Sequence, residues 1–196
     1  KKQLNIENYQ SLRNIILFHK PKWIINTAAF TDVERAEKEK DSAFSINAYA
    51  VEEIAKILNT YGGRLLQIST DFVFKGNKNI PYSINDLCSP INEYGKSKLE
   101  GEILSLKYKD TTTILRTSWL YSSYGDNFLI KILKLHQEFS KNYKNLNVVY
   151  DQIGSPTNAD ELAKVCWKIV ERSNHLNSIN KILHWSNAGI ISRYDF

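Results

Sequence analysis

Apolar residues along the chain follow two alternating periods, which predict alternating helices and strands. Helical spacing predicts helices over 8–18, 41–60, 92–107, 127–139 and 160–172. Short apolar runs predict strands over 22–26, 64–69, 111–116 and 147–150. Strands separated by helices of ten or more residues are typical of an α/β fold, a mostly parallel sheet covered on both faces. Ligands bind at the carboxyl ends of such strands, so we expect residues 27–31, 69–71 and 117–121 to converge on one crevice.

The composition is that of an ordinary globular protein of one domain or slightly more. No apolar run is long enough to span a bilayer, so we expect no membrane partner. The cysteines and histidines are scattered without metal-ligand spacing, so we expect reduced thiols, no metal site and a cytoplasmic protein. The net charge of +5 comes from lysines spread along the chain. Without a basic block, we expect no nucleic-acid partner.

Tyr94 and Lys98 are a candidate catalytic pair. If residues 92–107 are helical, positions four apart share a face, so the phenol and the ammonium point into the same space. A cation beside a tyrosine favours the phenolate and lowers the phenol pKa. A hydroxyl from 69–70, at a strand end, could hold the oxygen that receives the proton, which would complete a carbonyl-reduction site. Because the chain holds 11 tyrosines and many lysines, chance also produces this spacing, and a ring and a solvated lysine on an ordinary amphipathic helix remain an alternative.

The first glycine of the chain is Gly62. A doubly wound dinucleotide-binding fold normally opens with a strand, a glycine-rich turn and a helix that holds the pyrophosphate. The chain also lacks methionine and begins with two lysines. We therefore expect a fragment that lacks a front part of roughly forty residues of such a fold. A complete protein that starts at a helix is the alternative.

Six motifs occur in a fixed order along essentially the whole chain. They lie at residues 24–34, 36–37, 68–74, 94–102, 116–121 and 151–157. Together they resemble the dTDP-4-dehydrorhamnose reductases, a family of the extended short-chain dehydrogenase/reductase superfamily. The resemblance implies a Rossmann-like doubly wound sheet in residues 1–150, which lacks its first strand, turn and helix. Residues 151–196 would then begin a smaller substrate-binding domain.

The resemblance implies that the 4-keto group of a nucleotide sugar is reduced with NADPH or NADH, in dTDP-rhamnose and cell-surface polysaccharide biosynthesis. In the catalytic set, Tyr94 would protonate the carbonyl oxygen, Lys98 would lower the phenol pKa and hold the nicotinamide ribose, and Thr70 would bind the carbonyl. The family's cofactor-binding positions are matched by Asn5, Ile6, Ala29, Phe30, Thr31, Tyr94 and Lys98. Its sugar-nucleotide positions are matched by Thr70, Asp71 and Trp119. Without the resemblance, 69–71 would be a strand-terminal turn and Trp119 a core ring.

The chain departs from the family pattern in three places. It lacks the glycine-rich turn and the residues that select NADPH or NADH, it has Ile84 where the family has Glu, and it ends at Phe196 before the family's substrate domain does. Without the backbone amides that hold the pyrophosphate, we expect residues 1–196 alone to bind NAD(P)H weakly. Some relatives form magnesium-bridged dimers, so magnesium and a homodimer stay open for this chain.

Single residue positions distinguish the reductases from enzymes and subunits with related functions. Sugar-nucleotide dehydratases need an Asp-Glu pair after the threonine, and Phe72 occupies the Glu position, which favours reduction over elimination. Two alternatives stay open. One is a non-catalytic regulatory subunit resembling the beta subunit of methionine adenosyltransferase, which keeps Tyr-x-x-x-Lys, and the other is a truncated, inactive reductase. The motifs that begin at Arg116 and Asp151 favour the reductase.

Overall fold

The computed structural model describes residues 4–141, 145–172 and 181–196, and these form two compact units. The first unit comprises the described residues within Lys1–Arg116 and Leu176–His184. The second comprises those within Thr117–His175 and Trp185–Phe196. The chain therefore divides at residue 116, whereas the sequence predicted a boundary at residue 150. The assignment of cofactor binding and substrate binding to separate domains stays a prediction.

The first unit contains a sheet with helices packed against it, which confirms the predicted α/β class. Among the described residues its strands are β1 (Trp23–Asn26), β2 (Arg64–Thr70), β3 (Thr112–Thr117) and β7 (Ile182–His184), in the order β1-β2-β3-β7. The β1–β2 and β3–β7 pairs are parallel, with Trp23 opposite Arg64 and Ile114 opposite Ile182. The helices are α1 (Tyr9–His19), α2 (Val33–Lys38), α3 (Lys40–Phe44), α4 (Ala50–Asn59) and α5 (Glu93–Ser105).

Helices α1 and α4 build an apolar core against β2. The Asn8 side chain caps α1 by accepting a hydrogen bond from the Ser11 amide at 2.9 Å. The helix ends at His19, and the capping residue Lys20 has a left-handed φ of 41°. The core combines buried residues of α1, α4 and β2, namely Leu12, Ile16, Val51, Ile54, Ala55, Ile57, Leu58 and Leu65. Since each large side chain contributes about 1.5–3 kcal/mol on full burial, this cluster fixes α4 on the sheet.

The helix predicted over 41–60 is interrupted. Helix α3 is followed by a π-helical turn, Ser45–Tyr49, and only then by α4. A π turn widens the backbone by one residue and often occurs at functional sites. Here it carries Asn47, which is 1% exposed. The predicted helical segment is therefore present as Lys40–Asn59, and the apolar pattern did not reveal the π turn because the apolar stripe continues through it.

Helix α5 lies unusually close to its neighbours because its buried face carries small residues. The Asn92 side chain caps the helix by accepting from the Gly95 amide at 2.7 Å. A Cβ atom at Gly95 would lie 2.2 Å from the Phe72 carbonyl oxygen, and one at Gly101 would lie 2.0 Å from that of Asn47. Glycine at both positions therefore allows α5 to contact the turn after β2 and the π-helical segment.

In its described residues, the second unit contains short strands and two longer helices. Its elements are β4 (Leu120–Tyr121), α6 (Phe128–Lys141), β5 (Ile153–Gly154), β6 (Thr157–Asn158), α7 (Ala159–Arg172) and β8 (Ile191–Ser192). Strand β4 pairs in parallel with β6, and β5 pairs antiparallel with β8. The predicted strand over 147–150 is wrong. Val149 and Tyr150 are 51% and 77% exposed, so these apolar residues do not enter a core.

Within the described ranges, each helix is too short or too polar to cross a membrane.

Candidate functional site

Three residues predicted to be catalytic meet around the end of β2. Thr70 is the last residue of that strand, and its hydroxyl lies near enough to the Tyr94 phenol to lower the phenol pKa as a hydrogen-bond partner. The Thr70 hydroxyl also donates to Asp71 Oδ1 at 3.1 Å and accepts from the Phe72 amide at 3.2 Å. Lys98 Nζ donates to the carbonyl oxygen of Ile68 at 2.7 Å. A phenol, a hydroxyl and an ammonium group are thus held by one strand end.

The Tyr94 phenol differs from the prediction in the direction of its pKa. The sequence predicted that Lys98 lowers this pKa, whereas burial raises it to about 12. The Thr70 hydrogen bond lowers it, the Asp71 charge raises it further, and Lys98 is not among its causes. The four-residue spacing correctly places Tyr94 and Lys98 on one face of the helix. Burial of the phenol, however, sets its pKa and keeps it protonated near neutral pH.

Lys98 is a buried ammonium group with donors to spare. It is 5% exposed, and burial lowers its pKa to about 8, against the opposing effect of the Glu102 carboxylate. Within the described residues, the Ile68 carbonyl is its hydrogen-bond acceptor. An ammonium group has three N–H donors, so two remain for a ligand. Buried donors of this kind fit the hydroxyl groups of a nicotinamide ribose, as the resemblance implies.

The predicted cofactor segment contacts the same site through Phe30. The side-chain amide of Asn47 binds both backbone polar groups of Phe30, accepting from its nitrogen at 2.9 Å and donating to its oxygen at 3.0 Å. Tyr94 packs against the small apolar cluster that contains Phe30. Ala29 is half-buried and Thr31 is exposed. Two of the three predicted strand-end segments, 27–31 and 69–71, therefore meet at Tyr94.

The sequence did not identify Asn47 as a residue of the site. Its Nδ2 atom also donates to Ser97 Oγ at 2.9 Å, and Ser97 Oγ donates to the Tyr94 carbonyl oxygen at 2.8 Å. One amide therefore links the segment around Phe30 to the helix that carries Tyr94. The signal was a polar residue inside an otherwise apolar helical stripe.

Asn5 and Ile6, the predicted adenine contacts, lie in the turn before α1. The exposed Asn5 side chain accepts from the Glu7 amide at 3.0 Å. Ile6 packs on the core cluster of α1 and α4. Both side chains thus stabilise the start of the first unit, and their contact with a cofactor stays a prediction.

Trp119, the predicted substrate contact, belongs to the second unit. Its backbone is left-handed, with φ of 45°, and its ring lies so close to Gly154 that a Cβ there would be 2.5 Å away. The guanidinium carbon of Arg193 lies 3.7 Å from the ring centroid, and the Trp119 carbonyl accepts from the Thr157 amide. The ring is half-buried and firmly held, and part of it remains accessible.

Titratable groups elsewhere do not gather into a metal site in the part of the chain that the structure describes. Cys88 and Cys166 are free thiols, and burial raises the pKa of both. Neither is therefore a thiolate near neutral pH.

Comparison with known proteins gives consistent matches. The family model described as RmlD substrate binding domain matches residues 1–196. The chain is 40% identical over 195 residues to a dTDP-4-dehydrorhamnose reductase of Aggregatibacter actinomycetemcomitans, covering 99% of this chain and 65% of that protein. It is also 40% identical over 197 residues to the spore coat polysaccharide biosynthesis protein SpsK of Bacillus subtilis, covering 100% of this chain and 66% of that one.

Among solved structures, the chain resembles the dTDP-4-dehydrorhamnose reductase of Bacillus anthracis in complex with NADP. The TM-score is 0.88 at 36% identity, covering 100% of this chain and 66% of that structure. The chain thus spans slightly less than two thirds of the length of these relatives.

Proposed function

Because this chain belongs to the RmlD substrate binding domain family, we propose that the protein that carries it reduces the 4-keto group of dTDP-4-dehydrorhamnose with NADPH or NADH. The observation that carries the proposal is the convergence of the Tyr94 phenol, the Thr70 hydroxyl and the buried Lys98 ammonium at the end of β2. The similar proteins support it by their names, as reductases of this sugar nucleotide or as a polysaccharide biosynthesis protein. The product would then be dTDP-rhamnose.

In this proposal Tyr94 is the proton donor. Since burial raises the pKa of Tyr94 to about 12, the phenol carries its proton near neutral pH. A protonated phenol suits reduction, because the carbonyl oxygen must gain a proton as the carbon gains a hydride. Thr70 is within hydrogen-bonding reach of the same phenol and would bind the same carbonyl oxygen. Bound NAD(P)H supplies the hydride.

Lys98 supports the reaction by holding the cofactor. Its two remaining N–H donors would bind the ribose hydroxyls of the nicotinamide, which orients the cofactor toward the carbonyl. This role requires all three protons on Nζ, and the pKa of about 8 leaves Lys98 mostly protonated near neutral pH.

Phe72 supports reduction over elimination. Its ring packs edge-on against Tyr94, with 5.6 Å between the centroids. An apolar side chain therefore stands where a dehydratase of the superfamily would carry its second carboxylate. The site offers an acid at the carbonyl but no base at Phe72 to remove a proton from the neighbouring carbon.

The proposal extends to binding and location. Ala29, Phe30 and Thr31 would lie along the cofactor, while Asp71 and Trp119 would contact the sugar nucleotide. The free thiols of Cys88 and Cys166 suit a reducing compartment, which supports a cytoplasmic protein. Sedimentation analysis would measure whether the protein is the homodimer found among some relatives.

The test is oxidation of NADPH by the full-length protein that carries this chain, with dTDP-4-dehydrorhamnose as substrate. Tyr94→Phe should lower kcat by about 10²–10⁴-fold, because the positioned proton donor is lost. The matched control is Tyr61→Phe, which removes a hydroxyl that donates to the Pro21 carbonyl oxygen at 3.1 Å in the same unit. The control should keep normal turnover.

Two results would contradict the proposal. Wild-type turnover in Tyr94→Phe would remove Tyr94 from the reaction. A wild-type protein that binds NADPH but reduces no sugar nucleotide would favour the non-catalytic regulatory alternative.

A further inference from the structure

A buried ion pair lies directly behind the candidate site. Glu102 on α5 is 2% exposed, and Arg116 near the end of β3 is 4% exposed. Arg116 Nε donates to Glu102 Oε1 at 2.9 Å, and Nη2 donates to Oε2 at 2.6 Å. Two parallel hydrogen bonds between planar groups fix the orientation of both side chains.

The same carboxylate also binds the end of β2. The Ser69 hydroxyl donates to Glu102 Oε1 at 2.5 Å. Ser69 lies between Ile68 and Thr70, and these two neighbours bind the lysine and the tyrosine of the candidate site. We call Ser69, Glu102 and Arg116 the carboxylate clamp. Glu102 therefore binds Ser69, and the residues on either side of Ser69 contact Lys98 and Tyr94.

Arg116 is itself held from several sides. Its Nη2 atom donates to Cys88 Sγ at 3.2 Å, and Nη1 lies 3.4 Å from His184 Nε2. The guanidinium also lies over the Phe74 ring, 5.1 Å from its centroid. These contacts hold the guanidinium in place beside Glu102. The clamp is thus anchored to the loop after β2, to β3 and to β7.

Stability alone is a weak explanation for this arrangement. The cost of removing two charges from water offsets much of their attraction, and apolar side chains of similar volume often stabilise a core equally well. What apolar side chains would lack is a hydrogen-bond acceptor for Ser69. The specific property of the clamp is therefore the fixed position of the end of β2.

We propose that the carboxylate clamp is a positioning device for the reduction site: it fixes the end of β2, which in turn fixes Tyr94 and Lys98. This inference rests on the proposed function. Glu102 adds a charge effect, because its carboxylate opposes the loss of the Lys98 proton. Arg116 faces Glu102 from β3. The titratable groups Cys88 and His184 contact Arg116 from the loop after β2 and from β7.

The first test separates the clamp from general packing. Ser69→Ala in the full-length protein breaks the link to β2 while leaving the ion pair intact. We expect kcat to fall by about 10–100-fold with little change in KM for the sugar nucleotide, since small displacements of reacting groups reduce rate rather than affinity. The matched control is Ser105→Ala on α5, the helix that carries Glu102, which removes a buried hydroxyl that donates to the Gly101 carbonyl. It should retain wild-type kcat.

The second test removes the ion pair without leaving a lone buried charge. The double variant Glu102→Met/Arg116→Met should fold, with far-ultraviolet circular dichroism like that of the wild type. Its kcat should nevertheless fall at least as far as that of Ser69→Ala. If this variant fails to fold, Ser69→Ala and its control still decide the question.

The third test needs no activity. The side-chain CH₂ signal of Lys98, followed by NMR, reports its titration near pH 8 in the wild type. Glu102→Gln keeps the shape but removes the charge, so the titration should move to lower pH, while Ser105→Ala should leave it in place. A wild type without reductase activity would refute the proposed function but would leave this test valid.

An unchanged Lys98 titration in Glu102→Gln would overturn the charge effect. Wild-type kcat in Ser69→Ala would overturn the positioning role and leave the clamp with a structural role alone, whether or not the double methionine variant folds.

Discussion

Replacing Lys98 with methionine should change how the stability of the protein depends on pH. Lys98 ionises near 10.5 in an unfolded chain and near 8 in the folded protein, because burial disfavours its charge. At lower pH the lysine is charged in both states, and the folded protein bears the full cost of burying that charge. As pH rises from about 8 toward 10.5, the folded state loses this proton before the unfolded state does. Stability therefore rises with pH over that window.

The magnitude follows from the difference between the two pKa values. Linkage gives a gain of about 2–3 kcal/mol in the free energy of unfolding between about pH 7 and about pH 10. Lys98→Met cannot titrate, so it lacks this gain. The difference in unfolding free energy, wild type minus Lys98→Met, should thus grow by that amount, while contributions from all other groups cancel. Urea unfolding followed by circular dichroism at several pH values measures it.

Lys96→Met provides the matched control on the same helix. Lys96 is exposed, and its hydrogen bond with Glu93 raises its pKa, which is the opposite direction. The wild type should therefore gain no stability over this variant as pH rises. A difference between wild type and Lys98→Met that stays flat from neutral to alkaline pH would refute the assignment of a buried, charged Lys98.

Three further expectations concern the packing and charge of the site. Gly101→Ala should lower the free energy of unfolding by about 2 kcal/mol or more, since its Cβ would lie 2.0 Å from the Asn47 carbonyl. Gly76→Ala is the control: its φ is +78°, but a Cβ atom there meets no atom within 4 Å, so it should lower the free energy of unfolding by only about 1–2 kcal/mol. Equal losses for Gly101→Ala and Gly76→Ala in urea unfolding would contradict the close contact between Gly101 and Asn47. Asn47→Ala should cost about 2–3 kcal/mol by the same measurement, because both backbone polar groups of Phe30 lose their partner. Ultraviolet titration should show one tyrosine ionising only near pH 12 that is absent from Tyr94→Phe, and identical titration curves would refute the burial of that phenol.

The sequence by itself determined the fold class and the main positions of the site. Residues 92–107 and 160–172 were predicted as helices and contain all of α5 and all but the first residue of α7, because an apolar period is a local property of the chain. The four-residue spacing likewise places Tyr94 and Lys98 on one face of α5, and the end of β2 places Thr70 beside them. Each of these inferences needs only neighbouring residues and the geometry of a helix or a strand.

Only the tertiary structure decided the charges and the connections between elements. The π turn at Ser45–Tyr49 and the hydrogen bonds of Asn47 to Phe30 depend on how α5 packs, which no local period reports. The pKa of Tyr94 rises rather than falls because burial outweighs the hydrogen bond from Thr70, and the nearby Asp71 charge acts in the same direction as burial. Glu102 and Arg116 are 14 residues apart, and their pairing becomes visible only when α5 and β3 lie side by side. Burial and long-range contacts are properties of the assembled core, and a pattern along the chain does not contain them.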